Sequence, residues 1–127
     1  EEASINSSEI DYINAHATST QAGDLSELFA MKTVFGSNPN ASISATKSMT
    51  GHLVGAAGAI EAIACIQSIR ENIIPPTINT QNIELPFAAD FDFTLGKATE
   101  KNILYAMNNT FGFGGHIASS IFKKYFP

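Results

Sequence analysis

Apolar and polar positions alternate in one short block near the start of the chain, and the period changes after it. Ile10-Asp11-Tyr12-Ile13-Asn14-Ala15 alternates and carries β-branched and aromatic side chains, which predicts a strand. A polar loop follows, His16-Ala17-Thr18-Ser19-Thr20. Asp24 with Glu27 three residues on resembles a capping box and predicts a helix opening at Asp24. Leu25, Leu28, Phe29, Val34 and Phe35 would form its apolar face, and Gly36 would end it. Past a turn at Ser37-Asn38-Pro39-Asn40, residues 41–45 predict a second short strand.

Residues 46–50 read as another polar loop. The stretch 53–66 is almost wholly apolar, too short for the roughly 20 residues a bilayer requires and interrupted by Glu61. It predicts a buried helix from Gly51 to about Glu71, closed off by Pro75-Pro76. Residues 77–101, with Pro86 and Leu95-Gly96-Lys97, read as an irregular surface excursion. Residues 103–107 and 117–122 predict two strands flanking Phe111-Gly112-Phe113-Gly114-Gly115. Strand, helix, strand, helix, long connection and two strands make an α/β fold, with a mixed sheet and packed helices. No internal repeat appears.

Composition narrows the function classes. The 127 residues are 44% hydrophobic and 15% charged, which suits one folded domain. A net charge of −5 argues against nucleic acid or an anionic membrane as a partner, since both call for a cationic face. The single Cys65 rules out a disulfide framework within the chain and fits a reducing compartment. The start, Glu1-Glu2-Ala3-Ser4, lacks the basic and apolar run of a signal peptide. It also lacks an initiator Met, so an excised piece of a longer protein is expected.

Each of the first two predicted strands runs into a polar loop bearing a histidine, and sites in open α/β sheets collect at the carboxyl ends of strands. His16 and His52 are therefore expected to converge; the blander reading is that each only satisfies a backbone group. No HxxxH or CxxC spacing supports a zinc pair. His52 is expected in the first turn of the long helix, where the dipole disfavours a cationic imidazole. A neutral imidazole there could donate to an oxygen turning negative, as in an enolate. Glu61 lies about half a turn out of phase with His52, so Lys47 is its expected partner, unless Glu61 sits on a solvated stripe. Gly51, Gly55 and Gly58 at helical spacing predict close helix packing rather than a phosphate loop. Cys65, flanked by apolar residues, reads as a small core residue, and His116 as structural.

Three segments carry a resemblance. Asn14-Ala15-His16-Ala17-Thr18-Ser19-Thr20 with Gly23-Asp24 is similar to the first histidine motif of elongating β-ketoacyl-(acyl carrier protein) synthases. Thr46-Lys47-Ser48-Met49-Thr50-Gly51-His52 with Gly55-Ala56-Ala57-Gly58 and Glu61 resembles their second motif. Asn109-Thr110-Phe111-Gly112-Phe113-Gly114-Gly115 resembles their C-terminal glycine loop. The likeness covers nearly the whole chain, 1–127, in the same order and spacing.

The resemblance implies the C-terminal half, expected to be clipped at its N-terminal element because little precedes Ile10, of a thiolase-like layered fold made of two related halves. It implies a decarboxylating Claisen condensation in fatty acid elongation: the carbanion from malonyl-carrier protein attacks an acyl group held on a cysteine of the other half. By position, His16 and His52 would bind the malonyl thioester carbonyl, with Lys47 and Glu61 in electrostatic support. Thr18 and Thr20 would contact the pantetheine arm. Phe113 would gate the acyl pocket within the loop of Gly112, Gly114 and Gly115. Implied partners are the N-terminal half, an acyl carrier protein bearing acyl and malonyl thioesters, and a second copy in a homodimer. No cofactor or metal is implied, and the cytoplasm or an organelle stroma or matrix is the implied compartment. The nucleophilic cysteine is not in this chain, so the fragment alone is expected to be inactive, and a face meant for the other half is expected to be exposed. Alternatives are a chain-length-factor-like partner subunit, a polyketide ketosynthase, a free-standing interaction domain, or a thiolase-type acyltransferase using coenzyme A.

Overall fold

The computed structural model describes residues 3–37, 39–83, 85–86 and 88–127. Glu1 and Glu2, Asn38 of the predicted turn, and Glu84 and Phe87 of the predicted excursion lie outside the described residues.

Strand β1 (Tyr12–Asn14) is the hinge of the architecture. Successive side chains of a strand point to opposite faces. Ile13 accordingly joins one apolar cluster and Tyr12 another. Helix α1 (Gln21–Phe35) covers the first face, where Leu28 and Met31 meet Ile10, Ile13, Ile43 and Met107. Beneath the second face run Cys65 and Ile69 of helix α3 (Ala57–Glu71), packed with Tyr12, Ile103 and Ala106. Both faces being covered, β1 and β2 (Ser42–Ser44) are buried at every position.

The main sheet runs in the order β4 (Asp92–Phe93), β2, β1, β6 (Tyr105–Gly112), β7 (His116–Lys123). β1 pairs in parallel with β2 and with β6 (Tyr105–Gly112), with Asn14 opposite Ser44 and Asn108. β6 turns through residues Phe113–Gly115 into the antiparallel edge strand β7 (His116–Lys123). Gly114 and Gly115, at φ 80° and 83°, take the left-handed backbone that this tight hairpin requires.

Four expectations are corrected. Helix α1 opens at Gln21 after Thr20, not at Asp24, and Glu27 is no cap: it sits on the buried side with Leu28 and Met31. Phe29 and Val34, expected on the apolar face, are exposed, because the helix phase turns them outward. Lys47–Thr50 forms a one-turn helix, α2, that ends at Gly51 with φ 73°. A 3-10 turn at Val54–Ala56 intervenes before α3 begins at Ala57. His52 is therefore in a connecting loop, not in the first turn of the long helix where it was expected. Of the three glycines only Gly58 lies in α3, where an added Cβ would come within 3.1 Å of Thr110 Oγ1.

The fourth correction is the region 77–101. It contributes β4 (Asp92–Phe93), which lies parallel to β2 at the sheet edge, and β5 (Thr99–Glu100), which pairs with β3 (Ile73–Ile74). Two-residue strands show no period in sequence; Phe91 and Phe93 packing against the first cluster anchors this stretch.

One face carries no covering layer among the described residues. Ile60, Ile63 and Ile66 of α3 point outward, as do Leu53 and Val54 before it and Ile117 on β7.

Candidate active site at the carboxyl ends of the strands

β1 and β2 are parallel neighbours, so the loops leaving them start side by side. Ala15 N–H donates to Ser44 O at 2.8 Å, the last ladder bond before the two chains part. Asn14 and Thr46 then bridge the gap, Asn14 Nδ2 donating to Thr46 Oγ1 at 2.9 Å and Thr46 N–H to Asn14 Oδ1 at 3.2 Å. Beyond this pair the His16 and His52 rings meet edge to face, with centroids 5.4 Å apart and planes at 88°. The predicted convergence is present.

His16 is buried and His52 exposed. The Phe111 backbone N–H donates to His16 Nδ1 at 3.4 Å, and the Phe111 ring lies 5.2 Å away. With Nδ1 accepting, a neutral imidazole carries its proton on Nε2. Burial first, then Lys47 and His52 nearby, pull the His16 imidazole from its ordinary 6.5 to about 4. His16 is thereby held as a neutral imidazole, the state that the sequence led us to expect of His52.

Lys47, from α2, forms a buried ion pair with Glu61 on the inward side of α3. Both side chains are almost completely out of water, which requires such a pairing. The expected partnership is present, and the solvated-stripe reading of Glu61 is not.

Glu27 is the group that sequence reasoning missed. Its carboxylate accepts from His16 N–H and Ala17 N–H, both at 2.9 Å, and from Asn109 Nδ2 at 3.1 Å. It thereby ties the start of the His16 loop to β6. That loop is strained, with Ala17 at φ 31° and Ser19 at 64°, and Glu27 holds it there. Burial pushes the Glu27 carboxyl upward, against those three hydrogen bonds. The signal was available: like Glu61, Glu27 is an acid on the apolar phase of its helix.

A cavity of about 570 Å³ opens beside these groups. Lys47, His52, Thr18 and Thr20 lie around it, and Leu28, Met31 and Phe93 form its apolar part. Thr18 and Thr20 have hydroxyls 3.3 Å apart. Asp24 also lines it, its carboxyl raised by burial against backbone hydrogen bonds from Thr20 and Ser19. Phe113 stands 94% exposed at the hairpin tip between Gly112 and Gly114; the aromatic ring in contact with His16 is Phe111. Cys65 is buried in the core, its thiol pushed up to about 12 by burial and by Glu61, and it is no nucleophile. No helix among the described residues is long and apolar enough to cross a membrane.

Residues 1–81, which hold both histidines, Lys47 and Glu61, match the family described as beta-ketoacyl synthase, C-terminal domain. The chain belongs to the β-ketoacyl synthase C-terminal domain family. Among curated relatives, this β-ketoacyl synthase domain is 48% identical over 124 residues to 3-oxoacyl-[acyl-carrier-protein] synthase II, chloroplastic, of Arabidopsis thaliana, covering 97% of this chain and 23% of the relative. It is 44% identical over 126 residues to 3-oxoacyl-[acyl-carrier-protein] synthase 2 of Staphylococcus aureus (strain COL), covering 98% and 30%. Among solved structures, the ishigamide ketosynthase/chain length factor superposes with a TM-score of 0.92 at 38% identity, over 98% of this chain and 30% of that one. The layered thiolase-like architecture is thus shown. The β-ketoacyl synthase domain spans under a third of each of these proteins.

Proposed function

We propose that this chain, over 1–127, is the C-terminal domain of a 3-oxoacyl-(acyl carrier protein) synthase, an acyltransferase, and that it supplies the centre that decarboxylates the malonyl thioester. The observation that carries the reading is the His16–His52 pair, in which His16 is held neutral with Nδ1 occupied and Nε2–H free to donate.

In the proposed reaction the malonyl thioester carbonyl lies between the two imidazoles. As the bond to the terminal carboxylate breaks, CO2 leaves and its electron pair moves into the thioester. The carbonyl oxygen becomes an enolate, which accepts from His16 Nε2–H and from an N–H of His52. Donors placed in advance at a developing oxyanion are each worth roughly 10²- to 10³-fold in rate. The enolate carbon then attacks an acyl thioester on a cysteine outside this chain, and that cysteine leaves as the thiolate. The Lys47–Glu61 pair holds α2 against α3 and sets the field beside the histidines. Thr18 and Thr20 are assigned to the carrier arm. The loop of Gly112, Phe113, Gly114 and Gly115 is assigned to gating.

The partners follow from the same reading: the remainder of the synthase on the apolar face of α3 and β7, an acyl carrier protein, and a second copy in a homodimer. The likeness to 3-oxoacyl-[acyl-carrier-protein] synthases, together with both histidines and Lys47 in place, favours this over an accessory subunit. The test is condensation by the natural gene product carrying this sequence, given acyl- and malonyl-carrier protein, with 3-oxoacyl product read by mass spectrometry. Product lost in His16→Ala and His52→Ala supports the reading. No product from the wild-type protein overturns it.

A further inference from the structure

Two loops that must hold their groups in register part company after only three paired residues, Tyr12 with Ser42, Ile13 with Ile43 and Asn14 with Ser44. One loop carries His16; the other is the α2 turn, with Lys47 inside it and His52 just past its end. What spans them beyond the ladder is the Asn14–Thr46 pair. Asn14 is fully buried and Thr46 nearly so.

The two residues are matched twice over. Asn14 Nδ2 donates to the Thr46 hydroxyl, and the Thr46 backbone N–H donates to Asn14 Oδ1. The hydroxyl also lies 3.3 Å from Oδ1, within donating distance. The amide has one workable orientation, because a flip would set its NH2 group against the Thr46 N–H. Thr46 occupies the N-cap of α2, yet its hydroxyl makes no capping bond; it is committed to Asn14 instead. Its carbonyl meanwhile accepts from Met49 N–H at 2.9 Å and Thr50 N–H at 3.1 Å, so Thr46 is the residue on which the α2 turn is built. Fixing Thr46 fixes the origin of both Lys47 and His52.

Resting on the reading of His16 and His52 as the donors to the enolate, we propose that Asn14 and Thr46 are positioning residues that set the spacing between the two histidine loops. A displacement of about 1 Å at such a site is enough to cost on the order of 10²-fold in rate. Their effect should therefore fall on kcat, while the contacts made by the substrate's carrier arm, and with them KM, stay as they are.

The test uses the natural gene product carrying this sequence, with Thr46→Val, Thr46→Ser and, as a control, Ser42→Ala. Ser42, on β2 just before that turn, is equally buried, but its hydroxyl bonds Asp92 and Lys101 away from the site. The expected result is a fall in kcat of about 10- to 100-fold in Thr46→Val with KM for malonyl-carrier protein within about twofold. Thr46→Ser, which keeps the hydroxyl, should recover kcat to within about threefold, and Ser42→Ala should leave it unchanged. A second readout needs no turnover: the nuclear Overhauser effect between the His16 and His52 rings should be present in the wild type and weakened in Thr46→Val. If Thr46→Val does not fold, Thr46→Ala is read on the same terms. Unchanged kcat and ring contact in the variant overturn the inference, and so does an equal loss in Ser42→Ala. Should the wild-type protein make no 3-oxoacyl product, the functional reading falls while the ring contact still decides the clamp.

Discussion

Acidification should unfold this protein partly through a single imidazole. His16 has a folded-state value of about 4 against an ordinary 6.5, mainly because it is buried. A depressed folded value means that the unfolded chain takes up the proton first. The stabilisation from keeping His16 neutral is therefore complete above about pH 6.5 and is lost as the pH falls towards 4. At about 1.4 kcal/mol per pH unit, the difference between 6.5 and 4 amounts to about 3 kcal/mol at the acid limit and about 2 kcal/mol by pH 5. That is a large share of the roughly 5–15 kcal/mol that holds a typical domain together. Urea unfolding at pH 7, 6, 5 and 4.5 measures it in the wild type and in His16→Gln, which cannot titrate. The wild type should lose about 2 kcal/mol more than the variant between pH 7 and pH 5, and a ¹³C-histidine titration should place one imidazole near 4. Parallel losses in the two proteins, or a His16 that titrates near 6.5, would refute the reasoning.

Glu27→Ala leaves the buried His16 N–H, the half-buried Ala17 N–H and the Asn109 amide without their acceptor, at about 1–3 kcal/mol for each buried group before relaxation. The expectation is a loss of about 3 kcal/mol or more in chemical denaturation, with faster amide exchange at His16 and Ala17. Lys47→Ala strands the buried Glu61 carboxylate and should cost about 3–5 kcal/mol. The double variant Lys47→Met with Glu61→Leu should recover most of that loss while leaving condensation impaired, so unfolding and activity assays separate the two roles. Cys65, buried and with its thiol at about 12, should resist thiol reagents in the native protein and react on unfolding.

The parts of this molecule that could be read in sequence are those with a local cause. β1 announces itself by alternation, and its polar sequel places His16 at a strand end. The second histidine motif does the same for β2, so the meeting of the two rings needed only the parallel pairing of neighbours. Glu61 and Lys47 could be matched because a lone acid in an apolar helix calls for a cation. Other features depend on geometry that no window of residues contains. Gly51 at positive φ cuts the long helix short and takes His52 out of it, but the same glycine would pass as a helix residue in sequence. Glu27 has the spacing of a cap and the phase of a core residue, and only the register of β6 against β1 shows which role it takes. β4 exists because Phe91 and Phe93 find the first cluster, not because two residues prefer to be extended. Phe111 was legible as part of a glycine loop, whereas its contact with His16 belongs to the β6–β7 hairpin.

That hairpin dictates an order of events during synthesis. His16 emerges from the ribosome long before the N–H that occupies its Nδ1, which belongs to Phe111, 95 residues later. Glu27 likewise waits 82 residues for Asn109. Until β6 slides in beside β1, the imidazole has no fixed tautomer, and the strained backbone at Ala17 lacks the brace of Glu27 anchored to the sheet. Contacts of such long sequence separation form slowly and late. A nascent chain halted before β6 would hold His16, His52, Lys47 and Glu61 and yet lack the two partners, Phe111 N–H and the Asn109 amide, that fix His16 and Glu27.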